Sequence, residues 1–175
     1  MTALLLALTL GLAPAQAMTL SSADIAPGAK IADTHVFSGF GCSGKNQSPA
    51  LSWAGAPKET QSFAVLVHDP DAPTGGAGWW HWVVYDLPAS TTGLPAGVGD
   101  KLPAGSKQGT TDFGAPGWGG PCPPPGDKPH RYVFTVYALK VAKLELPPNA
   151  TASLIGFMVN ANSIGKAELQ GVYGR

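Results

Sequence analysis

Glycine and proline interrupt this chain so often that its apolar runs stay short. There are 23 Gly and 17 Pro in 175 residues, and neither forms a low-complexity repeat. Proline fixes φ and lacks an amide donor, while glycine favours turns, so both belong at the ends of elements. Between them lie short runs rich in β-branched and aromatic residues, which predicts many short strands. Residues 61–68 are apolar on both alternating faces, as a central strand would be. Residues 81–87, stopped by Pro88, and residues 131–139 form two more strands. Residues 50–53 and 168–173 are weaker and edge-like. Residues 91–113 are rich in Gly and polar residues and suggest a long excursion with a short strand near Ser106-Lys107-Gln108. One helix is expected, capped by Asn149 or Thr151, with Leu154, Ile155, Met158 and Val159 at helical spacing and Gly165 at its end. Such a helix would cover a sheet edge or the bottom of a sandwich. The expected fold class is all-β, a two-sheet antiparallel β-sandwich with one or two short helices.

Eleven basic and eleven acidic residues cancel, and only 13% of residues are charged. With no basic run, nucleic acid is not an expected partner. The length suits one domain with a core of its own. Residues 1–17 read as an export signal: Leu4-Leu5-Leu6-Ala7-Leu8 opens an apolar stretch and Ala15-Gln16-Ala17 is an A-x-A cleavage pattern. The stretch is too short to span a bilayer, and Met1-Thr2-Ala3 lacks the basic residues that usually open a leader. The expected domain is therefore residues 18–175, in a periplasmic or secreted protein. Two cysteines in an exported chain favour one disulfide, Cys42 to Cys122. Closing that loop would stabilise the fold by about 4–5 kcal/mol and tie a Pro-rich loop to the N-terminal third.

Two stiff loops meet strands at ionisable residues. Asp69-Pro70-Asp71-Ala72-Pro73 precedes Trp79-Trp80-His81-Trp82, and Gly119-Gly120-Pro121-Cys122-Pro123-Pro124-Pro125 precedes His130-Arg131-Tyr132. Proline after Asp69 holds that residue extended at a strand end, where it can line a pocket. Asp71 is expected to shape the turn. Strict alternation puts Trp80 and Trp82 on one face and His81 on the other, and puts His130 and Tyr132 on a shared face. Asp69, His81 and His130 could serve a metal, but no His-x-His or His-x-x-x-His spacing occurs. Hydrolysis lacks a Gly-x-Ser-x-Gly turn, and Cys122 is expected in the bridge. An anion pocket suits the inventory better: imidazolium donors from His81 and His130, the Tyr132 hydroxyl, and loop amides near Gly120. No cofactor and no catalysis are expected.

Asn46-Gln47-Ser48-Pro49, Asp69-Pro70-Asp71-Ala72-Pro73-Thr74-Gly75, Trp79-Trp80-His81-Trp82, Thr111-Asp112-Phe113-Gly114, Gly120-Pro121-Cys122-Pro123-Pro124 and His130-Arg131-Tyr132 occur here in that order. This set resembles the phosphatidylethanolamine-binding protein family, in its bacterial Raf-kinase-inhibitor-like branch, over nearly all of residues 18–175. The resemblance implies a sandwich with a small pocket for phosphate-like anions and phospholipid or phosphopeptide head groups. Its pocket residues fall on Asp69, His81, Gly120, Pro121, His130 and Tyr132. His68 has no counterpart in the motif and no expected role. The expected function is non-catalytic binding by an exported protein. The alternatives are inhibition of a protein partner, a protease or kinase-like enzyme, through surface loops such as residues 74–79, and a weak hydrolase.

Overall fold

The computed structural model describes residues 17–175. Of the leader expected over residues 1–17, all but Ala17 lies outside the described residues. In chain order the strands are Thr19–Ser21 (β1), Ser38–Gly39 (β2), Cys42–Ser43 (β3), Leu51–Ala54 (β4) and Ser62–Asp69 (β5). Trp79–Pro88 (β6), Gly93–Leu94 (β7), Lys107–Gln108 (β8) and His130–Leu139 (β9) follow. The helix Ala152–Asn162 (α1) then runs directly into Ser163–Tyr173 (β10).

A five-stranded sheet, ordered β10-β9-β5-β6-β8, faces a three-stranded sheet, ordered β1-β4-β7, and every strand pairing is antiparallel. β5 is the centre of the larger sheet, and all of its residues except His68 are buried. Its side chains alternate as a pleated strand requires. Phe63, Val65 and Val67 enter the core between the sheets with Trp53, Trp82 and Phe134. Ala64 and Leu66 face the other way, into a second apolar cluster with Val83, Leu139, Ile155 and Val159. The central strand is apolar on both faces because both faces are covered.

The second cluster also corrects the placement expected for the helix. α1 lies across the outer face of the larger sheet, not at an edge or the bottom, and buries Ala152, Ile155, Gly156 and Val159. Thr151, not Asn149, is the cap: its Oγ accepts from the Leu154 amide at 3.2 Å. Gly165 does not end the helix. It lies in β10, beside the register shift that turns the chain from helix into strand. β10 is an edge strand as expected, but it is eleven residues long and pairs along nearly all of β9. Among the described residues no helix is long and apolar enough to cross a membrane.

Candidate functional site

Three neighbouring strands of the larger sheet carry the titratable candidates. Asp69 ends β5, His81 lies near the start of β6, and His130 and Tyr132 open β9. All four side chains line one cavity of about 300 Å3. The two-residue period brings His130 and Tyr132 to one face, as the sequence suggests. For His81 the same rule fails. Val67 stands opposite Trp82 and His68 opposite Trp80, so His81 is the extra residue of a bulge. Trp82 therefore enters the inter-sheet core while Trp80 packs on the helix side, and the two do not share a face. The bulge lets His81 turn beside Tyr132, with ring centroids 5.0 Å apart and nearly perpendicular planes.

Each polar side chain is held differently. His130 Nδ1 donates to Asp69 Oδ2 at 2.8 Å, and the other oxygen, Oδ1, accepts from the Asp71 amide at 2.8 Å. Asp69 thus orients His130 and is itself fixed by the turn that follows it. Asp71 shapes that turn and grips β9: it accepts from the Arg131 amide at 2.9 Å and from Arg131 Nε and Nη2 at 2.8 and 2.7 Å. The Arg131 hydrogen bonds hold its carboxyl down at about 2.

His81 Nδ1 contacts the Gly119 carbonyl oxygen. A carbonyl only accepts, so Nδ1 carries a proton, and Nε2 is left without a protein partner in a ring that lines the cavity. Burial lowers the His81 pKa to about 4, outweighing the favourable Gly119 contact and the Asp69 charge. At neutral pH His81 is therefore an uncharged ring with an acceptor at Nε2. This corrects the expectation that His81 offers an imidazolium donor. Tyr132 is fully buried, and its hydroxyl has no hydrogen-bond partner. Burial first and the Asp69 charge second push its pKa upward, so it is a neutral donor.

Gly120 and Pro121 stand behind the cavity wall and do not line it. The Gly120 amide donates to Asn46 Oδ1 at 2.8 Å and the Gly119 amide to the His81 carbonyl at 2.9 Å, so neither is left for an anion. Proline has no amide to offer; the Pro121 carbonyl accepts from Phe37. Glycine is needed at 120 for close approach: a Cβ there would collide with the His35 carbonyl oxygen and lie 2.6 Å from the Phe37 nitrogen. Cys42 and Cys122 form a disulfide that pins the β2–β3 hairpin to the Pro-rich loop. Arg175 repeats the tie, donating to the carbonyls of Pro123, Gly41 and Phe40 at 2.7, 3.0 and 3.1 Å.

The Pro-rich loop expected as a wall contributes Pro123 and Pro124, but sequence reasoning missed the aromatic part of the wall: Phe40, Trp79 and Phe113. Phe113 packs on Trp79 at 5.6 Å and on His81 at 5.3 Å. Phe40 is 68% exposed at the tip of the β2–β3 hairpin, with φ at +52°. Two available signals were an exposed-type turn carrying Phe-Gly and the Thr111-Asp112-Phe113-Gly114 block. Among the described residues no group of three or more His, Cys, Asp or Glu side chains is assembled to hold a metal ion.

Comparison with known proteins follows the same lines. Residues 21–174 match the family model described as phosphatidylethanolamine-binding protein. The chain is 52% identical over 165 residues to the UPF0098 protein YbcL of Escherichia coli K12, covering 92% of this chain and 90% of that protein. It is 45% identical over 159 residues to YbhB of the same organism, covering 89% and 99%. The crystal structure of E. coli YbcL, described as a member of the mammalian PEBP family, superposes with a TM-score of 0.88 at 51% identity, covering 91% of this chain and 99% of that one. On this similarity and on its own sandwich architecture, the chain belongs to the phosphatidylethanolamine-binding protein family.

Proposed function

We propose that this protein is a non-catalytic exported binding module whose cavity holds a singly protonated phosphate monoester carried on a lipid or peptide head group. The observation that carries the reading is the Tyr132 hydroxyl, a buried donor without a protein partner in the ring that shares the cavity with His81. A buried unpaired hydroxyl costs about 1–3 kcal/mol, and a ligand oxygen would satisfy it. His81 Nε2 supplies the complementary acceptor. A phosphate monoester monoanion has both parts: an oxygen to accept from Tyr132 and an O–H to donate to His81. The Asp69–His130 pair orders the floor, and Asp69 fixes the imidazole. Phe40, Trp79 and Phe113 give the phosphate's substituent an apolar surface, which favours an organic phosphate over the free ion. The disulfide suits a periplasmic or secreted location.

Affinity then depends on one proton shared between His81 Nε2 and the ligand. A phosphate monoester loses its second proton near pH ~6. Above that pH the ligand arrives without the proton, and neutral His81 cannot replace it, so affinity should fall as pH rises. Calorimetric titration with phosphoethanolamine at pH 5.5 and pH 8 is expected to show at least about tenfold weaker binding at the higher value. Equal affinity at both, or no heat at either, overturns the reading.

A further inference from the structure

His68 is the one residue of β5 that is not buried, and neither the core nor the cavity accounts for it. Alternation along β5 turns Asp69 into the cavity and His68 to the opposite face, where its ring packs on Trp80 with centroids 4.4 Å apart. From there Nε2 meets the Ala77 carbonyl oxygen at 3.0 Å. A carbonyl only accepts, so Nε2 carries the proton and donates it. The ring also sits tight against the chain: a Cβ on Gly78 would collide with Cε1 and Nε2 and lie 2.6 Å from the Asp69 carbonyl oxygen.

Ala77 and Gly78 close the loop of residues 70–78, which lends Ala72, Pro73 and Thr74 to the cavity wall. Asp71 holds the first half of that loop through its grip on Arg131. The second half is freer. Gly75, Gly76 and Gly78 all have positive φ, and a Cβ at Gly75 or Gly76 would meet only open space. Thr74 spends its hydroxyl on the Gly78 carbonyl at 3.0 Å and its amide on the Ala72 carbonyl at 2.7 Å. Pro73 has no amide to offer. The loop therefore presents carbon to the cavity, and the contact that fixes its returning end is the one made by His68.

We propose that His68 is a positioning residue that latches the 70–78 loop over the cavity and so sets the preference for phosphates bearing an apolar substituent. The inference rests on the phosphate monoester reading above and deepens it. Tyr132 and His81 serve the phosphate from β9 and β6, whereas the loop wall meets what the phosphate carries. Unlatched, the glycines let the loop swing out. Observed affinity for a substituted phosphate then falls with the fraction of molecules still closed.

Calorimetry at pH 5.5 with phenyl phosphate and with inorganic phosphate, on wild type, His68→Leu and His68→Gln, tests this. Leucine fills the space and removes the donor; glutamine places an amide N–H near the position of Nε2. H68L is expected to bind phenyl phosphate about three- to tenfold more weakly, the weight of one hydrogen bond, with any binding of inorganic phosphate unchanged. H68Q is expected to recover most of the loss. Phenyl phosphate binding by H68L equal to wild type, an equal loss of both ligands, or no recovery by H68Q overturns the latch and leaves the cavity reading standing. No binding of either ligand by wild type overturns both. A measurement without substitution covers an H68L chain that does not fold: in wild-type protein the His68 Cε1–H resonance should move as phenyl phosphate saturates the cavity and stay fixed with inorganic phosphate. A resonance that answers both ligands alike, or neither, overturns the latch.

Discussion

The Tyr132 hydroxyl makes an unusual statement for a core residue, since a phenylalanine would pack there without an orphaned donor. Tyr132→Phe is therefore expected to stabilise the fold by about 1 kcal/mol while weakening phosphoethanolamine binding by about tenfold. Paired thermal melts and calorimetry check both halves; a tyrosine kept for packing alone would leave binding unchanged. The shared face of His130 and Tyr132 was legible in the sequence because a two-residue period needs no tertiary information. The position of His81 was not. It depends on which β5 residue pairs with which β6 residue, and one extra residue between Trp80 and Trp82 reverses the local alternation. The charge state of His81 was likewise illegible, because burial sets it and burial belongs to the folded molecule.

Among the elements, the Pro-rich loop shows why a residue type does not fix a role. Gly119-Gly120 read as a source of free amides, yet both amides are spent inside the wall. What the loop needs from Gly120 is the missing Cβ, since its neighbours are backbone atoms that cannot give way. Gly120→Ala should cost about 3 kcal/mol and widen the gap between loop and hairpin, seen as a lowered urea midpoint at unchanged slope. A stability change under about 0.5 kcal/mol would contradict this account. The strongest strands were readable to within two residues because their apolar runs are bounded by Pro and Gly. β1 was not foreseen: three residues pairing with β4 carry too little pattern. The helix was foreseen but misplaced, because its amphipathic spacing tells that it is covered and not by what.

At the scale of the whole molecule, the cavity is a junction of distant segments. The disulfide spans 80 residues of sequence, and Arg175 joins the same hairpin and loop from the other end of the chain. Opening the bridge restores the freedom of a long loop in the unfolded chain, so Cys42→Ser with Cys122→Ser should lose about 4–5 kcal/mol. Cys122 also lines the cavity, so phosphate affinity should drop in the folded fraction. Chemical denaturation with and without reductant measures the first effect; a double variant as stable as wild type would show that Arg175 alone suffices. The hairpin tip bears on how this scaffold could be re-engineered. Phe40 and Gly41 both have positive φ, an arrangement that asparagine-glycine accommodates with less strain than phenylalanine-glycine. Sequence optimisation for thermal robustness would write asparagine there and strip Phe40 from the lip of the cavity, so ranking variants by melting point alone would select against the proposed binding.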